Sequence, residues 1–299
     1  MARGYQTEDI QQKIIELLRD STTGMSGVEI SKQLKINRIT LTKYLNIFAA
    51  EGILKKKNIG NVTLWFAEKG LEKFYFPDDY YKLGPKYLEL LTTGSENQVF
   101  SLIKNCLYSG ATVSKLITEV ILPAILHVKK LYDDGKIGMS EEKLLKNIIS
   151  NSIQIFTQLS VIPDPKKHVI LIAGDFHNSL ISEATSAYFH SYEWNAYHLG
   201  DMSESINVLF EIDLQKLLRK IWKQKPGIMI IVIFADTEEA LNFFANSVNS
   251  LKKKIGKNIK LVLCGKINKK TKIPSDLVTT DIDAIVEWGQ SNYENLTSK

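Results

Sequence analysis

Two constellations in this 299-residue chain combine the residue types that site chemistry needs. Asp175 and His177 stand two residues apart in Gly174-Asp175-Phe176-His177-Asn178-Ser179-Leu180. An imidazole ligates a metal through one ring nitrogen, and a nearby carboxylate is suited to hold the other. The stretch follows an apolar run at 168–173 and precedes a helical pattern at 181–192. In α/β sheets such strand ends are where ligands collect.

The second constellation is electrostatic. Between residues 32 and 57 stand Lys32, Lys35, Arg38, Lys43, Lys55, Lys56 and Lys57, against one acid, Glu51. The whole chain carries only +5, from 38 Lys/Arg and 33 Asp/Glu. Residues 1–76 hold +4 of it, residues 77–160 none and residues 161–299 the remaining +1. A basic excess confined to one short stretch suits a phosphate-bearing partner.

The elements that would position these basic residues are legible. Ile10, Ile14, Ile15, Leu17 and Leu18 mark one face of a helix at about 8–20. Ser26, with Glu29 three residues later, predicts a capping box on a short helix. A turn at 35–37 leads to a third helix from Arg38 to about Glu51, with Leu41, Tyr44, Leu45 and Phe48 inward. Two short strands around a Lys/Asn/Gly tip then predict a β-hairpin at 53–66. The inward set leaves Arg38, Thr42, Lys43 and Asn46 outward, the side that meets base edges in a helix-turn-helix. Asn37 and Thr40 lie on the same helix start. Lys55, Lys56, Lys57 and Asn61 on the hairpin are placed to meet phosphates.

This block resembles the winged helix-turn-helix regulators of archaea and bacteria. The resemblance runs through Ile30-Ser31-Lys32-Gln33-Leu34, then Asn37-Arg38-Ile39-Thr40-Leu41-Thr42-Lys43-Tyr44-Leu45, then Glu51-Gly52-Ile53-Leu54, and Trp65. It implies that this block binds double-stranded DNA.

Pro-bearing stretches at 76–79 and 161–165 divide the chain into blocks of 1–76, 77–162 and 163–299. The middle block carries apolar helical stripes through Leu102 to Leu107, Val113 to Ile125 and Leu144 to Phe156, which predict an antiparallel helix bundle. In the last block, strand patterns at 168–173, 194–199, 228–234 and 259–264 alternate with helical ones at 181–192, 204–224 and 237–255. Asp283 to Glu287 reads as a last strand. This alternation predicts a doubly wound, parallel, Rossmann-like α/β sheet. The fold class is therefore a multidomain α/β chain: winged helix-turn-helix, helix bundle, α/β sheet.

Composition excludes other classes. Two cysteines, Cys106 and Cys264, and no C-x-x-C leave no zinc or redox motif. The longest apolar run is the eight residues Ile228 to Ala235, too short to span a bilayer. No signal-peptide pattern opens the sequence, so a soluble cytoplasmic chain is expected. No P-loop, G-x-G-x-x-G or nucleophile elbow is present, so no enzyme activity is expected.

The stretch at 174–180 resembles the Asp-x-His-x-x-Gly motif of cobalamin-binding domains, whose His coordinates cobalt. Leu180 stands at the final Gly, Phe234-Ala235-Asp236 at a Ser-x-Leu, and Gly265-Lys266 at a Gly-Gly. The middle block resembles the helical cap of the same family through Leu122-Pro123-Ala124-Ile125-Leu126-His127-Val128, Leu131-Tyr132-Asp133-Asp134-Gly135-Lys136-Ile137 and Ser140-Glu141-Glu142-Lys143. There Tyr132 stands at a Trp, and Glu142-Lys143 at a Glu-His. The order of the three blocks is similar to light- and cobalamin-responsive repressors. The resemblance implies cofactor contacts from Asp175, His177, Ser179, Tyr132, Glu142 and Gly265, with His177 as the cobalt ligand if a corrinoid binds.

The function expected is a DNA-binding transcriptional regulator, acting as a homodimer or larger homo-oligomer. Its helical and α/β domains would sense a small ligand, a corrinoid or another small molecule in the same cleft, or would serve self-association alone. The alternative is a corrinoid carrier of a methyltransferase system.

Overall fold

The computed structural model describes residues 7–19, 21, 23–60, 62–67, 74–93, 96–206, 209–222, 227–256, 258–267 and 273–297. The chain divides into two compact units, residues 1–111 and 112–299.

In the first unit, α1 (Thr7–Arg19), β1 (Met25–Ser26), α2 (Gly27–Leu34), α3 (Arg38–Ala50), β2 (Leu54–Ile59) and β3 (Val62–Ala67) follow in order. The three strands form an antiparallel sheet in the order β1-β3-β2. Ser26 caps α2 with the full capping box: its side chain accepts from the Glu29 N–H, and Glu29 accepts from the Ser26 N–H. Asn37 caps α3 by accepting from the Ile39 N–H at 2.9 Å. Ile10, Ile14 and Leu18 of α1 meet Ile30, Leu41, Leu45, Phe48 and Trp65 in one core. Tyr44 is half-buried at its margin.

Two more helices, α4 (Tyr80–Thr93) and α5 (Glu96–Tyr108), belong to this unit. Ser101 Oγ donates to the Gly52 carbonyl at 2.7 Å, and Lys104 Nζ to the Glu51 carbonyl at 3.3 Å. The chain after α3 is thereby fastened to α5. The helical stretch expected as one central block is thus shared between the two units.

The second unit opens with α6 (Val113–Leu116), a π turn (Ile117–Ile121), α7 (Leu122–Asp133) and α8 (Met139–Thr157). Next come β4 (Lys167–Ala173), α9 (Phe176–Ser191), β5 (Asn195–Asp201), α10 (Phe210–Ile221), β6 (Ile228–Phe234), α11 (Glu238–Ile255), β7 (Ile259–Cys264), β8 (Leu277–Val278) and α12 (Ile282–Thr297). The five strands are parallel, in the order β5-β4-β6-β7-β8. β4 from Val169 onward and the whole of β6 are apolar, and both strands are buried on both faces, as a sheet covered by helices on both sides requires. Ile170, Ile172, Met229, Ile231, Ile233, Leu261 and Leu263 share one core with Phe210, Leu214 and Leu218 of α10 and Leu241, Phe244 and Val248 of α11.

Two expectations are corrected. Asp283 to Glu287 is helix, not strand, because Ile282, Ile285, Val286 and Gly289 repeat at helical spacing on the buried face of α12. Asp281 Oδ1 also accepts from the N–H groups of Asp283 and Ala284, which holds that helix's first turn. The last strand is β8 instead. The helix after β4 starts at Phe176 rather than 181, because Asp175 caps it. His177 and Ser179 therefore sit on a helical turn, not in a loop.

Among the described residues no helix is long and apolar enough to cross a membrane.

Candidate functional site

In the first unit, α3 and the β2–β3 hairpin enclose a groove of about 450 Å³. Arg38, Thr42 and Asn46 line it from the helix, and Lys56, Asn58 and Thr63 from the hairpin. The positions follow from two periodicities. Arg38, Thr42 and Asn46 repeat every four residues along a row that flanks the buried face of Leu41, Leu45 and Phe48. Lys56 pairs across the hairpin with the buried Trp65, and Asn58 with Thr63. Leu54, Lys56 and Asn58 thus share a face that runs from the core into the groove.

Backbone carbonyls order the polar groups on the helix wall, and a side-chain pair orders those on the hairpin. Thr42 Oγ1 donates to the Arg38 carbonyl at 2.8 Å, Asn46 Nδ2 to the Thr42 carbonyl at 2.9 Å, and Thr63 Oγ1 to Asn58 Oδ1 at 2.8 Å.

Of the other expected DNA-contacting residues, Lys43 is exposed on α3 but does not line the groove. Asn37 is exposed and spends its side-chain oxygen on the helix cap, and Thr40 is half-buried. Lys55 and Lys57 are exposed on the hairpin face opposite to Lys56, since alternate strand residues point to opposite sides. All three lysines lie in β2 rather than at its tip. Asn61 lies outside the described residues.

In the second unit, strand order changes direction between β4 and β6, so their carboxyl ends form the switch-point crevice of the sheet. Four side chains meet there. Asp175 Oδ1 accepts from the Asn178 N–H at 2.9 Å and caps α9. The buried Asn178 amide donates to Asp175 Oδ1 and Oδ2, each at 3.0 Å, and to Asp236 Oδ1 at 2.9 Å. The Asp236 N–H donates to Asp175 Oδ2 at 2.9 Å. Lys129 of α7 stands 3.4 Å from Asp236 Oδ2. Desolvation opposes ionisation of Asp236, but the Asn178 amide and the Lys129 ammonium outweigh it and hold the carboxyl below its usual range.

The expected cofactor residues divide. Asp175 is at the crevice, but its carboxylate is spent on Asn178 and the Asp236 N–H rather than on His177. The His177 imidazole is exposed. Ser179 is half-buried, and its carbonyl accepts from Ser182 Oγ, which also meets His198 Nε2 at 2.8 Å. Burial pushes the His198 imidazole down, against the Ser179 backbone contact that favours its charge. Tyr132 is half-buried near the end of α7.

Glu142 is buried on α8, with Oε1 2.7 Å from Lys146 Nζ. This is an ion pair without an aligned hydrogen bond at Oε1. Lys146 Nζ also lies 5.0 Å above the Phe176 ring, so Lys146 links Glu142 to the start of α9. Gly265 follows β7 and backs directly onto the Ala235 carbonyl. Leu180, at the position where the motif has Gly, is buried.

Sequence reasoning missed Asn178, Lys129 and Lys146. Asp236 carried a readable signal, since it follows β6 as Asp175 follows β4. The exposed His177 imidazole is the group that would hold a metal here. The Asp175 carboxylate, already bonded, does not supply the orienting contact that the motif implies. Among the described residues no three His, Cys, Asp or Glu side chains gather to hold a metal ion directly.

Removing the Asp175 side chain tests this reading of the crevice. Asp175→Ala should destabilise the second unit by about 2 kcal/mol, the upper end of the cost of losing a cap, because Asn178 and the Asp236 N–H also lose their partner. Urea unfolding followed by circular dichroism measures it. An unchanged midpoint would mean that Asp175 is not the cap.

No family model matches the chain, and no curated protein matches it. Among solved structures, the monomethylamine corrinoid protein of Methanosarcina barkeri is similar at 14% identity, with a TM-score of 0.53. The likeness covers 70% of this chain and 98% of that one. The methanol:cobalamin methyltransferase complex of the same organism is 19% identical over 76% of this chain and 92% of that one, at a TM-score of 0.35. The first likeness shows a shared fold, an α/β architecture of the corrinoid-protein type; the second is too low to add to it.

Proposed function

We propose that the chain is a DNA-binding transcriptional regulator without enzymatic activity, whose first unit is a winged helix-turn-helix. The observation that carries this reading is the groove between α3 and the β2–β3 hairpin, with Arg38, Thr42 and Asn46 on one wall and Lys56 and Asn58 on the other. The order α1-β1-α2-α3-β2-β3 is the order of that motif, with α3 as the helix for the major groove and the hairpin as the wing. The acting form is a homodimer, which places two such helices on two half-sites. The second unit then carries the response to a small effector.

A salt titration of duplex affinity tests the reading. Arg38→Ala should weaken binding by about 1–3 kcal/mol and relax sequence preference, while Lys56→Ala should weaken all duplexes and lower the salt slope by about 1. Affinities unchanged in both variants would sink it.

The fold comparison favours a second reading, a corrinoid carrier for a methyltransferase, over the regulator. The exposed His177 is the residue such a carrier would use on cobalt, and a bound corrinoid would supply methyl-transfer chemistry there. The basic groove has no use in a carrier. Aquacobalamin added to the full chain should change its visible spectrum in the parent and not in His177→Ala. An unchanged parent spectrum removes this reading.

A further inference from the structure

We propose that Ile39 reads the 5-methyl group of a thymine in the DNA site. The inference rests on the DNA-binding reading and deepens it, by naming a base feature that the first unit selects.

Ile39 is 72% exposed, on a helix whose opposite face is packed into the core through Leu41, Leu45 and Phe48. Nothing in folding rewards an isoleucine there. A β-branched side chain lowers helix propensity, and an exposed one gains no burial. Single exposed apolar residues are ordinary on protein surfaces, so exposure alone assigns nothing. Its neighbours and its place on the helix do.

Ile39 is the second residue of α3, with its N–H tied to the Asn37 cap at 2.9 Å. In a helix-turn-helix the N-terminal residues of the second helix reach the base edges. At helical spacing, Ile39 continues the outer face that holds Thr42, Lys43 and Asn46. Like Lys43 it stands beside the groove rather than in its lining, and it is the exposed aliphatic group of the N-terminal turn of α3, with Ile47 two turns further on. The major-groove edges of the four base pairs present donors, acceptors and one apolar feature, the thymine methyl. An aliphatic side chain has no other base edge to recognise. A β-branched side chain held to a narrow choice of χ1 also loses little freedom on contact.

The test uses the full chain and duplexes selected by it from a random-sequence pool. Affinity is measured for the selected duplex made with thymine and for the same duplex made with deoxyuridine, which lacks the methyl. The parent should lose about four-fold for each contacted methyl on the change to uracil, the worth of one buried carbon. Ile39→Ala should lose a similar factor on the thymine duplex and bind both duplexes alike. The double comparison cancels any effect of uracil on DNA shape, and an unchanged melting temperature of the variant excludes misfolding.

Equal binding of both duplexes by the parent overturns the inference while leaving DNA binding intact. So does thymine preference retained in Ile39→Ala. Failure to select any duplex overturns the DNA-binding reading and this inference with it.

Discussion

Phe244→Ala is expected to lower the stability of the second unit by about 3–5 kcal/mol, the range for deleting a buried aromatic ring. Phe244 is fully buried on α11, within the core shared by β4, β6, β7 and α10. Its ring meets Phe210 at 4.9 Å and Phe243 at 5.3 Å between centroids, both edge to face. Such pairs add to the stabilisation from area alone. The same ring stands against Gly174, where a built Cβ would lie 3.1 Å from it. Phe244 therefore supports the turn that presents Asp175 and the start of α9. Urea unfolding should show an earlier midpoint with an unchanged slope. A loss below about 1 kcal/mol would mean that the core closes over the missing ring more fully than its packing implies.

The second large effect is expected at Gly265. A Cβ there would run into the Ala235 carbonyl oxygen and approach Leu241 Cδ1 to 2.9 Å. A side-chain tip can move aside, but a carbonyl held in the turn after β6 cannot do so without shifting the strand end. The Ala235 N–H is itself bonded to the Cys264 carbonyl at 3.2 Å, so the two turns are tied together. Gly265→Ala should cost about 1–3 kcal/mol, the usual range for overpacking. A melting temperature equal to the parent's would contradict the close approach of these turns. The resemblance assigns Gly265 to cofactor contact; the packing gives it a structural task that holds with or without a ligand.

Much of the first unit was legible from residue spacing. The Ser26/Glu29 pair announced the start of α2, and Leu41, Leu45 and Phe48 marked the inner face of α3, because helix caps and helical faces depend on residues within one or two turns. The hairpin was equally local. Which lysine faces α3 was not, since it depends on pairing Lys56 with Trp65 rather than shifting the register by one residue. In the second unit the alternation of strands and helices was readable, but the last strand was misplaced. A short, partly apolar stretch such as Asp283 to Glu287 fits either period until its partner surface is known.

The crevice divides in the same way. The Asp175/His177 spacing suggested a carboxylate holding an imidazole. Asp175 instead bonds to Asn178, three residues on and one helical turn away, because the cap forms as soon as α9 begins. Asp236 joins them from 58 residues beyond Asn178. By itself the sequence determined most element types, the buried faces of the first unit's helices and the concentration of basic charge before and within the hairpin. The tertiary structure alone decided which of those charges line the groove, which partner takes the Asp175 carboxylate, and why Gly265 must lack a side chain. The physical reason is range: propensity, capping and periodicity act between neighbours in the chain, whereas register, strand order and close backbone approach join residues that only folding brings together.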